Sequence, residues 1–341
     1  MNIAVISYYL PPNDRIGSGV QTHYLANAYV RAGHTVTMLS PYATADADAL
    51  YTSVKIPCGT KNRTLQFALN LRKFDFSKYD LIHAGMDDWA LLGVKKPYQI
   101  RTFHGSCFAE AMVAGNLKSF IRMSWLGLTE WLSCAVADKT VAVSRNTLKF
   151  IPFCRDVIWN GIDKSIFFPS MTKSDHPSIL FVGIFDSRKR GRLLLEVFQK
   201  EVQKKFPEAE LWIVRETNDP NIPGVKIFGS VTNEQLADLY RRAWVFCLPS
   251  SYEGFGVPYI EAMASGTAIV STPNLGVLEV TDNGKYGRVV VDAELGSCIC
   301  ELLSNDDIRS EQVALGLQRT QNLSWDSLIN EYIAMVPDRK L

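Results

Sequence analysis

One segment of the chain combines an apolar strand, a glycine-containing turn and the start of a helix. Residues 244–249 are the apolar run Trp-Val-Phe-Cys-Leu-Pro, and Gly254 and Gly256 follow in a short polar turn. Pro258 stands where a helix would begin, because proline lacks the amide that would be unpaired at that position. The backbone amides of Gly254, Phe255 and Gly256 should therefore lie at a helix N-terminus, which attracts anions.

Two carboxylates, Glu253 and Glu261, bracket this turn. An ionised carboxylate accepts hydrogen bonds from hydroxyl groups, and such charge-assisted bonds are stronger than neutral ones. An anion site with a carboxylate on each side suits a ligand that carries phosphate and hydroxyl groups, such as a nucleotide sugar. The plainer alternative is a strand-to-helix turn with two solvated acids. The two glycines, the proline and the helical sequence Ala-Met-Ala-Ser-Gly that follows favour the ligand site.

A second segment is rich in cations. Arg188, Lys189, Arg190 and Arg192 follow the predicted strand at 179–183. Cations at a strand-to-helix junction could neutralise a diphosphate that leaves with extra negative charge, and stabilising that charge is a main source of rate in such reactions. The alternative for a charge run is a solvated helix end.

The elements that must position these residues follow an α/β pattern. Short β-rich runs alternate with helical segments, which is typical of doubly wound domains with parallel sheets. Ligands of such sheets bind at the carboxyl ends of the strands. Strands are predicted at 2–8, 34–40, 80–84, 97–103, 139–143 and 156–159, and again at 179–183, 210–215, 225–228, 244–248, 268–271 and 288–291. Helices are predicted near 20–32, 191–205, 232–242, 258–265 and 294–303.

Length and composition bound the class of protein. A chain of 341 residues is too long for one typical core, so two domains are expected, 1–168 and 169–322, with a polar, proline-flanked linker at 168–177. A formal net charge of +1 gives no global field for nucleic-acid binding. Seven dispersed cysteines indicate reduced thiols in the cytoplasm. We expect neither a signal peptide nor a membrane span, because the sequence opens on a strand and no apolar run approaches about 20 residues.

Several segments, in the same order, resemble the retaining glycosyltransferases of the GT-B architecture, especially family 4. The segment from Glu253 to Glu261 resembles the E-x7-E signature of that family. The resemblance is dense from about 156 to 335 and patchier before that. Further segments that resemble the family are 158–163 (Ile-Trp-Asn-Gly-Ile-Asp), 229–236, 283–287 and 323–326.

The resemblance implies a division of roles around the donor. Glu253 would contact hydroxyl groups of the donor sugar. The amides of Gly254, Phe255 and Gly256, with Val257 behind them, would hold sugar and phosphate. The second carboxylate of the signature, on Glu261, would bind the nucleotide ribose.

The cationic segment departs from the family pattern. The family usually has an arginine after the Val-Gly pair, where this chain has Ile184 after Gly183, and a lysine where this chain has Arg190. We expect Arg190 to grip phosphate, bidentately if the geometry allows. We further expect Lys189 or Arg188 to replace the missing arginine, with Gly183 lining the donor site.

Two N-terminal residues complete the predicted site. Gly19 lies between the first strand and helix, where the family's glycine loop approaches the leaving diphosphate; a plain tight turn is the alternative. A dinucleotide fingerprint fits poorly, because Thr22 occupies its third glycine position. His104 follows the strand at 97–103 in a Thr-Phe-His context that the family shares, which implies sugar positioning and a charge role in the transition state. A packed structural histidine is the alternative.

No metal site or cofactor is expected. The Asp87-Asp88 pair has no further acid nearby, and GT-B enzymes generally need no bound metal. The segment 117–136 carries Trp125 and Trp131 among leucines. It could be a membrane-surface helix or an acceptor wall, but a core helix is the favoured interpretation.

Taken with the resemblance, the sequence predicts a GT-B protein whose two Rossmann-like doubly wound domains face a central cleft. The helix within 323–341 would return to the first domain. The predicted reaction is retaining hexosyl transfer from a nucleoside diphosphate sugar to a sugar, lipid-linked or other hydroxyl acceptor. Nucleic acid is not an expected partner, and a peripheral membrane contact stays open. The alternatives are a sugar-nucleotide epimerase, a glycoside hydrolase that uses the two glutamates, and a non-catalytic nucleotide-sugar-binding partner subunit.

Overall fold

The computed structural model describes residues 1–14, 16–44, 46–217 and 221–337. The chain packs into two compact units. One is formed by Met1–Gly161 together with the chain from Trp325 on, and the other by Ile162–Ser324. Each unit has its own parallel sheet with helices packed against it, as the alternating pattern of the sequence predicted.

The sheet of the N-terminal unit is doubly wound. Its strands within the described chain are β1 (Asn2–Ile6), β2 (Thr35–Ser40), β3 (Thr52–Lys55), β4 (Leu81–Ala84), β5 (Tyr98–Phe103), β6 (Lys139–Ala142) and β7 (Asp156–Val157). They are parallel, in the order β3-β2-β1-β4-β5-β6-β7. The strand order reverses between β1 and β4, and ligands of open parallel sheets bind at such a point.

The described chain of this unit before Trp325 forms five α-helices, three of which begin at a polar capping residue. They are α1 (Gly17–Arg31), α2 (Arg63–Leu71), α3 (Cys107–Met112), α4 (Leu117–Val136) and α5 (Arg145–Leu148). The side chains of Ser106, Asn116 and Ser144 accept hydrogen bonds from the first turns of α3, α4 and α5. Such caps satisfy amides that have no partner within the helix.

The C-terminal unit repeats the architecture with a second parallel sheet. Its described strands are β8 (Ser178–Val182), β9 (Glu210–Val214), β10 (Val225–Gly229), β11 (Val245–Cys247), β12 (Ala268–Ser271) and β13 (Arg288–Val289), in the order β10-β9-β8-β11-β12-β13. Every residue of β8 and β11 is buried, because both faces of a parallel sheet are covered. The reversal of strand order falls between these two strands.

The helices of the C-terminal unit cover both faces of its sheet. They are α6 (Gly191–Val197), α7 (Gln203–Lys205), α8 (Asn233–Arg242), α9 (Val257–Ala264), α10 (Leu275–Thr281), α11 (Leu295–Ser304) and α12 (Asp306–Thr320). A π-helical stretch, Phe198–Val202, joins α6 to α7. Thr232 and Gln235 form a capping box at the start of α8, a pairing that satisfies two exposed amides at once.

The last described helix, α13 (Trp325–Ala334), belongs to the N-terminal unit. Its Asp326 Oδ1 lies 2.7 Å from Nε of Arg31 on α1. A Cβ atom at Gly161 would lie 2.6 Å from the ring of Trp325, so only glycine leaves room for that indole.

The structure departs from the predicted organisation at one edge strand and at the linker, among other places. Strand β3 was not predicted, because Thr52–Lys55 is a mostly exposed edge strand without an apolar run. The segment 168–177, predicted as the linker, is packed on the C-terminal unit. The Nζ atom of Lys173 donates to the backbone oxygens of Ala243 and Gly266, at 3.0 and 2.7 Å. The two units divide instead after Gly161 and before Trp325.

The interpretation of 117–136 as a core helix is wrong. The buried residues of α4 are Gly127, Thr129, Ser133 and Val136. Its large apolar side chains lie outside, with Trp125 63% exposed. Helical periodicity gives the width of an apolar face, but not whether another element covers it.

Candidate functional site

The two motifs singled out in the sequence meet at the carboxyl edge of the C-terminal sheet. β8 and β11 are hydrogen-bonded neighbours, with Leu180 opposite Phe246. The loops that follow the two strands therefore emerge side by side. The backbone amide of Ser251 donates to the carbonyl oxygen of Arg188 at 2.9 Å, which ties one loop to the other.

The start of α9 depends on glycine at two positions. Gly256 has φ of 100°, and a Cβ there would lie 2.5 Å from the ring of Tyr259. Gly276 on α10 packs against the loop, where a Cβ would lie 2.8 Å from the carbonyl oxygen of Glu253. These contacts fix the path of the chain through Gly254 and Phe255 into the N-terminus of α9, an end that favours negative charge.

Glu253 is buried at the head of this loop and is held by two partners. Its Oε1 accepts a hydrogen bond from Ser250 Oγ at 2.7 Å and lies 2.8 Å from Nη1 of Arg188. The Glu253 side chain is 8% exposed and that of Arg188 is 41% exposed. The carboxylate is thus fixed in direction while its cationic partner reaches solvent.

Lys189 brings a second cation to the same place. Its Nζ donates to the carbonyl oxygen of Val182 at 2.9 Å. Burial lowers the pKa of the ammonium to about 8, and the charges of Glu253 and Glu261 partly oppose that shift. A Cβ at Gly183 would lie 2.8 Å from Cδ of Lys189, so glycine at 183 makes room for this side chain.

Glu261 lies on α9, within the electrostatic reach of Lys189. Its Oε2 accepts a hydrogen bond from the hydroxyl of Tyr240 at 3.2 Å. Burial raises the pKa of the carboxyl to about 7, and Arg215 pulls it the other way. A carboxyl group with such a pKa changes charge near neutral pH, and strongly shifted groups of this kind cluster at functional sites.

Arg190 is engaged elsewhere, contrary to its expected role at the phosphate. Its backbone is left-handed, with φ of 58°, and its guanidinium pairs with Asp292. That pairing holds the pKa of Asp292 below its usual value. Ile184 is 46% exposed. Of the predicted cations, the structure therefore gathers Arg188 and Lys189 around Glu253, and Arg190 turns away.

In the N-terminal unit, Gly19 lies in the first turn of α1. A Cβ at this position would lie 2.7 Å from the carbonyl oxygen of Tyr9. The close approach that requires glycine is thus made by the chain's own loop after β1. This gives Gly19 a packing role, whether or not a ligand approaches it as well.

His104, at the end of β5, uses both ring nitrogens within the same unit. Nδ1 lies 3.2 Å from Oδ1 of Asn160, and Nε2 lies 3.4 Å from Oγ1 of Thr22. Burial lowers the pKa of the imidazole to about 4, and Arg101 adds to the shift. The ring is therefore neutral at pH 7 in the ligand-free chain, a state in which it can position a ligand by hydrogen bonds.

Sequence reasoning missed several partners of the site residues. Ser250 and Tyr240 hold the two glutamates, and Asn160 orients His104. All three lie within the stretch from about 156 to 335, where the resemblance to the family is dense. A short polar residue three positions before Glu253 was a usable signal, whereas nothing in the sequence pairs Tyr240 with Glu261.

The acid pair Asp87-Asp88 has a structural partner. Asp88 is fully buried, with Oδ1 3.2 Å from Nη1 of Arg101. Among the described residues, no group of three or more histidines, cysteines, aspartates or glutamates could hold a metal ion. Searching the same residues also reveals no helix with the length and apolarity to cross a membrane.

Two family profiles match the chain. The profile described as "Glycosyltransferase Family 4" matches residues 16–165, and that described as "Glycosyl transferases group 1" matches residues 176–305. Between them they cover most of both units.

Characterised relatives point the same way. The phosphatidyl-myo-inositol mannosyltransferase of Mycobacterium tuberculosis is 26% identical, over 96% of this chain and 94% of its own length. The O-antigen chain mannosyltransferase B of Escherichia coli is 31% identical, over 45% of this chain and 44% of its own.

Solved structures share the fold. Sucrose-phosphate synthase from Thermosynechococcus elongatus superposes with a TM-score of 0.80 at 20% identity, over 98% of both chains. Anabaena Alr3699/HepE in complex with UDP-glucose gives a TM-score of 0.74 at 15% identity, over 98% of this chain and 99% of that one. The predicted GT-B fold class is confirmed. The chain therefore belongs to family 4 of the glycosyltransferases, the glycosyl transferases group 1.

Proposed function

We propose that this glycosyltransferase moves a hexosyl group from a nucleoside diphosphate sugar to an acceptor hydroxyl, with retention of anomeric configuration. The product would be a polysaccharide, a glycolipid or another glycoconjugate. The observation that carries the proposal is the cluster of Glu253, Glu261, Lys189 and Arg188 at the N-terminus of α9. It combines an anion site with hydroxyl acceptors.

In this proposal, different residues of the cluster bind different parts of the donor. The diphosphate lies against the N-terminus of α9, with Lys189 and Arg188 as its cations. Glu253, held by Ser250, accepts hydrogen bonds from sugar hydroxyls. Glu261, held by Tyr240, accepts hydrogen bonds from the ribose. A diphosphate bound here would raise the pKa of Lys189 again, because a nearby opposite charge favours the charged form.

The reaction breaks the bond between the anomeric carbon and the diphosphate oxygen. The acceptor oxygen then forms a bond to that carbon on the same face, and its proton passes to the departing phosphate. Negative charge grows on the diphosphate, while the sugar gains oxocarbenium character. Lys189 and the amides of the α9 turn stabilise the first charge, which is where preorganised groups contribute most.

In this proposal the acceptor is bound by the N-terminal unit, where neutral His104 offers hydrogen bonds to a substrate sugar. The named relatives suggest which substrates to try first, namely mannosyl donors and lipid-linked acceptors. The seven cysteines, all in the described residues and all free thiols, fit a cytoplasmic location. A peripheral membrane contact is also part of the proposal.

The test is a donor screen with purified protein. GDP-mannose, UDP-glucose and related nucleotide sugars are incubated with and without a glycolipid acceptor, and released nucleoside diphosphate is measured. We expect acceptor-dependent release that EDTA leaves unchanged, and an NMR spectrum of the product that shows the donor's anomeric configuration. Conversion of the nucleotide sugar without acceptor would indicate an epimerase. No binding of nucleoside diphosphates by calorimetry at millimolar concentration would indicate a non-catalytic subunit.

A further inference from the structure

Helix α4 presents a continuous apolar stripe to solvent. Leu117, Ile121, Trp125, Leu128 and Leu132 follow each other at steps of three or four residues, so they share one helix face. Leu117 is 72% exposed, and Trp125 is 63% exposed. We call these five residues, with the adjoining Phe120, the α4 patch.

The packing of the same helix is inverted relative to an ordinary surface helix. Its buried positions include Gly127, Thr129 and Ser133. A Cβ at Gly127 would lie 2.6 Å from the ring of Phe108 on α3, so the helix sits close to its neighbour through its smallest residue. A surface helix normally turns its large apolar side chains inward. Here they face outward although the inner face is well packed.

The apolar surface continues beyond α4. Trp131 donates from Nε1 to the carbonyl oxygen of Phe150 at 2.9 Å, and its ring lies 6.3 Å from that of Phe153. Phe153 is 64% exposed, and Met112 at the end of α3 is 75% exposed. Single exposed apolar residues are normal, but a contiguous area of this kind marks an interaction surface.

The exposed charges around the patch are cationic. Lys118 and Arg122 are the exposed charged residues of α4, while Glu130 is only partly exposed and accepts a bond from the amide of Cys107 at 2.9 Å. Burial raises the pKa of Glu130 to about 7. Nearby, Lys139 is paired with Asp156 at 2.8 Å, so it adds no unpaired positive charge. Glu110 on α3 is the exposed carboxylate of the adjoining helix.

We infer that the α4 patch docks the N-terminal unit onto an anionic lipid surface, with its leucines and Trp125 among the acyl chains and its cations at the headgroups. A helix with leucine and tryptophan on one face and lysine and arginine at its margin binds in the plane of a membrane interface. Tryptophan is favoured at that depth, and cations near an anionic leaflet add affinity.

The charges argue against a second copy of this chain as the occupant. A symmetric dimer through this face would place the same patch on both sides of the interface. Such an interface would enclose Lys118 and Arg122 of both copies, and the described residues of α4 offer no fully exposed carboxylate to pair with them. An anionic lipid surface complements both the stripe and the cations.

Vesicle co-sedimentation tests the inference without any donor or acceptor, and so independently of the proposed reaction. The full chain is mixed with vesicles of phosphatidylcholine alone, or of phosphatidylcholine with about one third phosphatidylglycerol. We expect binding to the mixed vesicles that weakens as salt is added. Trp125→Ser with Leu128→Ser should lower the affinity at least about tenfold. Lys118→Ser with Arg122→Ser should lower it by roughly fivefold to twenty-fivefold.

The matched control is Leu69→Ser, which removes an exposed leucine (46%) from α2 of the same unit. It should bind like the native chain. Failure of the native chain to bind the mixed vesicles would overturn the inference, as would equal binding by the Trp125 and Leu128 variant. A concentration-dependent dimer that is lost in that variant would identify a second copy as the occupant instead.

Discussion

Proteins usually expose charged groups and bury large apolar ones, and two regions of this molecule do the opposite. One is the cluster of Glu253, Glu261, Lys189 and Arg188, which we call the Glu253 cluster. The other is the α4 patch. The first buries two carboxylates, with a partly buried lysine beside them, at the end of a sheet. The second leaves leucines and Trp125 in water along a surface helix. Burying charge and exposing apolar area both cost free energy, so each region is poorly explained by the stability of the chain alone.

The two regions differ in whether neighbouring residues offset the free-energy cost of the buried charge or the exposed apolar area. Within the cluster, Ser250, Tyr240 and Arg188 satisfy part of each buried charge, and the pKa values of Lys189 and Glu261 still shift towards their neutral forms. At the patch, by contrast, the large apolar side chains stay exposed to solvent, with Leu117 at 72%, Trp125 at 63% and Leu128 at 47%. In the proposals made above, the cluster binds the donor and the patch binds a lipid surface.

Among the cations near the site, substitution of Lys189 should have the largest effect on the rate of transfer. Lys189→Met should reduce transfer about a hundredfold to a thousandfold, because it removes the buried ammonium that faces the growing phosphate charge. Arg190→Met, its matched control, should stay within about threefold, because Arg190 is paired with Asp292. Steady-state rates of the two variants decide the matter, and a larger loss in the Arg190 variant would reverse the assignment.

Substitution of Glu261 should weaken donor binding and at the same time stabilise the fold. Glu261→Gln should raise the KM for the donor by about tenfold to a hundredfold, because an amide is a weaker acceptor for ribose hydroxyls than a carboxylate. The same change should stabilise the fold at pH 8 by on the order of 1–3 kcal/mol.

The sign of that stability effect follows from the raised pKa of Glu261. Because the folded value is about 7 and the ordinary value 4.5, the native chain loses stability relative to the variant as pH rises between these values. Above about 7 the difference should be constant. Urea unfolding at pH 4.5, 6 and 8 measures it, and a gap that is widest at the lowest pH would contradict the account.

The fall of kcat/KM at alkaline pH should reflect deprotonation of the Lys189 ammonium group. With the pKa of its ammonium at about 8 in the free protein, kcat/KM should fall towards tenfold per pH unit above that value. Lys189→Arg should flatten this limb, because a guanidinium stays charged. A limb that is unchanged in the arginine variant would assign it to another group.

The smallest effect is expected at the patch. Leu128→Ser should change the free energy of unfolding by less than about 0.5 kcal/mol, because the side chain is already 47% exposed. Leu71→Ala, at a fully buried leucine of the same unit, should cost about 2–5 kcal/mol. Chemical denaturation compares them, and a loss at Leu128 as large as at Leu71 would mean that the patch supports the fold.

Much of the fold could be predicted because parallel strands are buried on both faces and read as apolar runs. β8 and β11 are such runs and were predicted from them. β3 was missed because an exposed edge strand carries no apolar signal. α4 was misjudged because its periodicity is the same whether a protein core or another surface covers the face.

The backbone path of the site could be predicted from the sequence, whereas the directions of its cationic side chains could not. The strand, the glycines and Pro258 fix where the amides of the α9 turn lie, and local sequence encodes that path. Which cation points inward depends on one left-handed residue, Arg190, and on the space above Gly183. Those features follow from packing between loops that are far apart in sequence.

The central claim is that Glu253 directs the donor sugar, and a single variant tests it most directly. Glu253→Ala should abolish measurable transfer, a loss of at least about a thousandfold. Its thermal midpoint should stay within about 5 °C of the native value. Glu253→Gln, which preserves the contact with Ser250, guards against misfolding, and Glu234→Ala on the exposed face of α8 is the matched control. We expect that Glu253→Ala still binds nucleoside diphosphate but transfers no sugar, and turnover at the native rate would contradict the role proposed for Glu253.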